Sequence, residues 1–196
     1  MFARLPLRPA ALLATAFLLG ACASGRDLGD MRPELGDFRL SHNITVDANA
    51  QQGPLSRPAE PGTWKEAIEA EVARRLGRYE GDRLYHVAVH VDAYILAVPG
   101  VPVVASPRSA LIISVNIWDD ALGRPLNDRT RQFTVLESLS GESVVGSGLT
   151  QSAEQQMTNL ARNAALLIEN WMAENPHWFD PDLEAPPATV DGDGAR

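Results

Sequence analysis

Apolar and polar residues alternate over 37–47, with Phe38, Leu40, Ile44 and Val46 on one face and Arg39, Ser41, Asn43 and Thr45 on the other. A period of two predicts a half-buried strand, which His42 interrupts on its apolar side. Gly53, Pro54, Pro58, Pro61 and Gly62 then make residues 48–62 a loop. From Trp64 the period changes: Trp64, Ile68, Val72, Leu76 and Tyr79 recur at helical spacing, and Thr63 with Glu66 matches a capping box. This predicts an amphipathic helix over 64–78, with Glu66, Glu69, Arg74 and Arg78 in water.

Alternation resumes over 84–98, with Val87, Val89, Val91 and Ile95 inward and His86, His90, Asp92 and Tyr94 outward. It returns over 110–118, where Leu111, Ile113, Val115 and Ile117 point inward and Ser114, Asn116 and Trp118 outward, and again over 129–138 around Phe133 and Val135. The final stripe, Ala153, Met157, Leu160, Ala164, Leu167, Ile168 and Trp171, predicts a helix over 151–174 that Asn175-Pro176 stops. The order is β-α-β-β-β-α. Three consecutive strands with short links suggest an antiparallel meander. The expected fold is α+β: a two-layer sandwich of a four-stranded, mainly antiparallel sheet with both helices on one face. The other sheet face is then left to solvent or to a partner.

The leader is the strongest local signal. Arg4 and Arg8 precede the uncharged run Ala10 to Leu19, and small residues lead from there to Cys22, the only cysteine in the chain. This is the three-part plan of a secretory signal, and the run is shorter than the roughly 20 residues that span a bilayer. The segment Leu19-Gly20-Ala21-Cys22 resembles the lipobox of bacterial lipoproteins. The resemblance implies that residues 1–21 are removed and that Cys22 is acylated. With Ala23 rather than an aspartate next in the chain, it also implies sorting to the outer membrane, the domain facing the periplasm. One acyl chain binds a membrane marginally, whereas two or three on one residue anchor it firmly. Lipidation would occupy the lone thiol, so no disulfide is expected.

The chain divides into four segments: a signal peptide over 1–21, a lipidated N-terminus and tether over 22–36, an α+β domain over 37–175, and a proline-rich acidic tail over 176–196 expected to be disordered. The whole chain carries a formal net charge of -8, and the leader holds basic residues but no acid, so the remainder is more acidic still. That balance argues against a nucleic-acid partner and against a polybasic membrane patch.

No catalytic constellation emerges. His86 and His90 suit a metal only on a helix; four residues apart on a strand they lie roughly 13 Å from one another. There is no G-x-S-x-G turn and no phosphate-binding loop. No metal and no cofactor are expected, and the chain is not expected to be an enzyme. The uncharged stretch over 95–105 is broken by Pro99 and Pro102. With Trp118 at a strand end, its Val98, Val101, Val103 and Val104 form a possible contact surface for a protein partner or lipid.

The element order behind a lipobox resembles small periplasmic accessory lipoproteins of outer-membrane and lipid-transport assemblies, and uncharacterised proteobacterial lipoproteins. The resemblance is one of order, and it transfers no functional residue. It implies a lipid-anchored, non-enzymatic accessory or structural subunit of an envelope assembly. The rival expectation is a periplasmic binding module holding a small apolar or lipid ligand between sheet and helices.

Overall fold

The computed structural model describes residues 32–98, 109–137 and 152–180. Strands β1 (Arg39–Val46), β2 (Gln51–Gln52), β3 (Leu84–Ile95), β4 (Ala110–Asp119), β5 (Arg124–Pro125) and β6 (Arg131–Leu136) form one open sheet. Helix α1 (Thr63–Leu76) joins β2 to β3, helix α2 (Ala153–Ala173) comes after the last strand, and a 3-10 helix spans Pro176–Phe179.

The α+β class stands, but the sheet has six strands rather than four and its pairing is more mixed than the sequence suggests. Strand β3 pairs antiparallel with β4, and β4 with β6, as a meander requires. Strands β1 and β2 both run parallel to β3. The reason is α1: a helical crossover returns the chain to the end where β1 began, so the next strand lies parallel to it. The two-residue β2 and β5 are too short to leave a periodic signal.

Two bulges explain where the predicted faces fail. In β1 the register slips between Leu40 and His42. Phe38 is buried before the slip; after it Thr45 is buried while Ile44 and Val46 are exposed, the reverse of the alternating reading. In β3 the slip lies between Val91 and Ala93. Beyond it Tyr94 and Leu96 enter the core, and Ile95, expected inside, is only half-buried. One inserted residue moves every later side chain to the opposite face.

A single core joins the inward residues of β3 and β4 to Trp64, Ile68, Val72 and Leu76 of α1 and to Leu160, Ala164 and Ile168 of α2. Helix α1 lacks the expected capping box. Gly62 takes the cap position in a left-handed conformation (φ 84°), and the Thr63 hydroxyl donates instead to the Glu60 carbonyl at 2.7 Å. The box belongs to α2, where the Ser152 hydroxyl accepts from the Gln155 N–H and the Gln155 side chain accepts from the Ser152 N–H.

The folded part outruns the boundaries drawn from sequence at both ends. Leu35 is buried, and so are Trp178 and Phe179. The Asp37 N–H donates to the Phe179 carbonyl at 3.0 Å, so the end of the tether and the end of the domain close on each other. Gly36 makes this possible: its φ is 69°, and a Cβ there would sit 2.7 Å from the Phe179 carbonyl oxygen.

Charged residues also occupy the helix interface. Glu169 of α2 accepts from Arg75 at 2.7 Å, from Arg78 at 2.8 Å and from the Tyr79 hydroxyl at 2.9 Å. Arg78 was expected in water; its side chain is instead mostly covered. Tyr79 also lies 3.0 Å from the Pro33 carbonyl, and the Arg32 guanidinium stacks 4.7 Å from its ring.

Two phenols give the fold an alkaline limit. Burial, helped by Asp119 and Asp37 and opposed by Arg83, pushes Tyr85 up to about 12. Burial and then the Glu169 carboxylate raise Tyr79 as well. Both are neutral in the fold and ionise near pH 10 when unfolded, so their contribution is complete below about pH 10 and is lost as pH rises toward the folded value. Urea midpoints should stay level up to about pH 9 and fall from about pH 10 to 12, more steeply than in Tyr85→Phe. Identical slopes for the two proteins would show that Tyr85 does not set the limit.

Candidate functional site

Because both helices cover the inner face, the outer face carries whatever the sheet shows to its surroundings. Its rows are set by the strand register. His42 of β1 lies opposite His86 of β3, and His86 opposite Trp118 of β4. The next row is Ile44, Ala88 and Asn116, and the third is Val46, His90, Ser114 and Gln132. The face is therefore apolar at β1 and polar toward β6, with imidazoles between.

Each histidine on β3 has its own carboxylate. His86 Nε2 lies 2.8 Å from Asp120, and its ring stacks on His42 with centroids 5.3 Å apart. His90 Nδ1 lies 2.7 Å from Asp92, whose other oxygen accepts from the Ser114 hydroxyl at 2.7 Å and the Gln132 amide at 3.0 Å. Partial burial pushes the Asp92 carboxyl up, but the hydrogen bonds from Ser114, His90 and Gln132 outweigh it and hold it below the ordinary carboxylate value.

This order does not make a nucleophile. In a hydrolytic triad the imidazole stands between hydroxyl and carboxylate and takes the hydroxyl proton. Here Asp92 stands in the middle, and Ser114 donates to an anion with no use for its proton. Among the described residues, no group of three or more His, Cys, Asp or Glu is placed to hold a metal.

Trp118 lies on the outer face at the end of β4, as expected, and is 39% exposed. Ile44, Val46 and Leu136 are exposed as well. The sequence missed Ile44 and Val46 as surface residues because the β1 bulge reverses them. Val98 is half-buried. The residues just before it turn inward: Leu96 is fully covered, and Ala97 is bonded to Ser109 and to Gln156 of α2. Cys22, Val101, Val103 and Val104 lie outside the described residues.

A cleft of about 660 Å³ opens elsewhere, between the β5–β6 connection and the end of α2, with Arg124, Arg129 and Arg131 facing Trp171 and Trp178. The sequence contained a trace of it: three arginines and one acid, Asp128, fall within 124–131 of an otherwise acidic chain. What it lacked was the opposite wall, which comes partly from the segment read as tail.

No family model matches the chain, and no curated protein matches it. Among solved structures, a Xanthomonas campestris protein of the DUF330 family is 15% identical over 74% of this chain and 94% of its own, with a TM-score of 0.41. A Chlamydia trachomatis protein is 12% identical over 70% of this chain and 99% of its own, also at 0.41. A Caulobacter crescentus protein named as a lipoprotein is 15% identical over 68% of this chain and 91% of its own, at 0.32. At these scores the likeness carries no role across to this chain.

Proposed function

We propose that the chain is a lipid-anchored, non-enzymatic envelope lipoprotein acting as an accessory or structural subunit of a periplasmic or outer-membrane assembly. The observation that carries this reading is the leader ending in Leu19-Gly20-Ala21-Cys22, with no second cysteine in the chain. Among the described residues no helix is long and apolar enough to cross a membrane, so attachment through Cys22 is the means this reading supplies. From Cys22 to Arg32 the chain has ten steps, at most about 35 Å fully extended, so the domain works close to the surface that holds it.

The uncovered outer face supports the subunit role. Ile44, Val46 and Trp118 are exposed on a sheet whose other face is fully used by the helices, which suits a protein partner. The rival ligand-binding reading needs room between sheet and helices, where buried apolar side chains of β3, β4, α1 and α2 form one cluster among the described residues.

The test is a photoactivatable amino acid at Ile44 in intact envelopes, compared between the native chain and Cys22→Ser. The native chain should sediment with membranes, carry acyl groups on its N-terminal residue and give a discrete crosslinked adduct. Cys22→Ser should lose all three. A Cys22→Ser protein that is still processed and still sediments with membranes would overturn the anchor, and a native chain with no adduct would overturn the subunit role.

A further inference from the structure

The cleft beside the C-terminal end of α2 has the chemistry of an anion site. Its three arginines stand on fixed backbone. Arg124 lies in β5, opposite Asp119 of β4 in the backbone register. Arg131 lies in β6 with its guanidinium 5.5 Å from the Phe133 ring centroid. Arg129 is held through its carbonyl, which accepts from the Asn127 amide at 2.8 Å. That same amide donates to Asn116, while the Asn127 side-chain oxygen accepts from the Ile117 N–H at 2.9 Å, so Asn127 staples the connection to β4.

No carboxylate among the described residues pairs with Arg124, Arg129 or Arg131, whereas Arg39, Arg74, Arg75, Arg78, Arg83 and Arg162 are all paired. Three arginines without a carboxylate partner among the described residues line one cleft in a chain of net charge -8, with Asp128 the one acid on its lining. Guanidinium forks bind phosphate by paired, charge-assisted hydrogen bonds. The facing wall is aromatic: the Trp171 and Trp178 rings meet edge to face, centroids 5.0 Å apart. A ligand that satisfies both walls carries a phosphate at one end and apolar or glyceryl substance at the other. The volume lies within the range of small-molecule sites.

We propose that this cleft binds a phosphate-bearing anion, and that the headgroup of an anionic phospholipid is the source its position favours. The position matters because Trp178 adjoins Phe179, whose carbonyl holds Asp37 at the root of the tether. One wall of the cleft is therefore next in sequence to the residue that ties down the segment leading back toward Cys22. The choice of source rests on the anchored reading above; the anion site does not.

The experiment uses the full chain carrying Cys22→Ser, so that acyl groups contribute nothing and failure of the anchor leaves the result readable. Tryptophan fluorescence is monitored during titration with inorganic phosphate, with glycerol 1-phosphate, and with vesicles of phosphatidylcholine alone or of equal parts phosphatidylcholine and phosphatidylglycerol. Saturable, salt-sensitive binding is expected for the phosphatidylglycerol vesicles and not for pure phosphatidylcholine, with glycerol 1-phosphate competing. Arg124→Gln with Arg131→Gln should weaken it on the order of tenfold or more, and Asp128→Asn should strengthen it. Circular dichroism checks that both variants stay folded; these side chains are exposed, so both should. Binding of the free phosphates without the vesicles would keep the anion site and overturn the membrane source. Equal binding by the parent and the double variant, or no binding of any probe, would overturn the proposal.

Discussion

Glu169→Ala should lower the stability of the domain by about 3–5 kcal/mol, enough to move a thermal midpoint by about 10 °C. The size reflects the groups left behind. Arg75 keeps only 3% of its side-chain surface exposed and would lose the carboxylate that meets it at 2.7 Å, so a buried guanidinium is stripped of its nearest countercharge. Arg78 is better placed, at 22%, and can turn outward. The Tyr79 hydroxyl has a single proton and loses the stronger of its two acceptors, retaining the Pro33 carbonyl. If the missing countercharge is the cause, removing the charge should repair much of the damage: Glu169→Leu with Arg75→Met should recover most of the loss in chemical denaturation. A single variant within about 1 kcal/mol of the parent would show that water reaches this interface.

Phe179→Ala should cost about as much, 3–5 kcal/mol, for a different reason. The ring is fully buried, with Phe38 and Tyr85 packed edge-on at 5.4 and 5.1 Å between centroids. Truncation opens a cavity that the stiff neighbouring rings cannot collapse to fill. The effect should also be local in a readable way. The Asp37 N–H is protected by the Phe179 carbonyl, and the Gly81 N–H by the Phe38 carbonyl, so both should exchange with solvent far sooner in the variant, while the amides of β3 and β4 keep their order of protection. A loss below about 1 kcal/mol with unchanged exchange at Asp37 would mean that the 3-10 helix is only an appendage.

These two effects fall where the sequence was hardest to read. The helices and the meander strands β3, β4 and β6 were legible because each carries a long unbroken stretch of one period. The faces of β1 and the end of β3 were not, because one bulge residue each shifts the phase and leaves no mark in composition. Trp178 and Phe179 sat behind Asn175-Pro176, a correct helix stop that is silent about the residues beyond it. Pro176 in fact opens the 3-10 helix that carries both rings inward. Arg78 read as part of the polar side of α1, and Arg75 and Glu169 fall outside the apolar stripes of their helices. Their burial comes from α1 and α2 packing on each other, a tertiary fact no single-helix period contains. The candidate outer face was half visible, through His86, His90, Asp92 and Trp118. The arginine cleft was not, since its two walls come from distant parts of the chain.

The Glu69 carboxylate has a consequence for how another molecule can approach. It accepts the Thr45 N–H at 2.9 Å, and the Asn43 amide donates to the Glu69 carbonyl at 2.6 Å, so α1 seals the free side of β1 at mid-strand. An open edge strand is a template for strand addition and for runaway sheet growth, and an inward-reaching acid is one way to blunt it. With that rim closed, sheet extension through the middle of β1 is blocked. A partner arriving at this rim meets the outer face through side chains rather than by adding its backbone to β1.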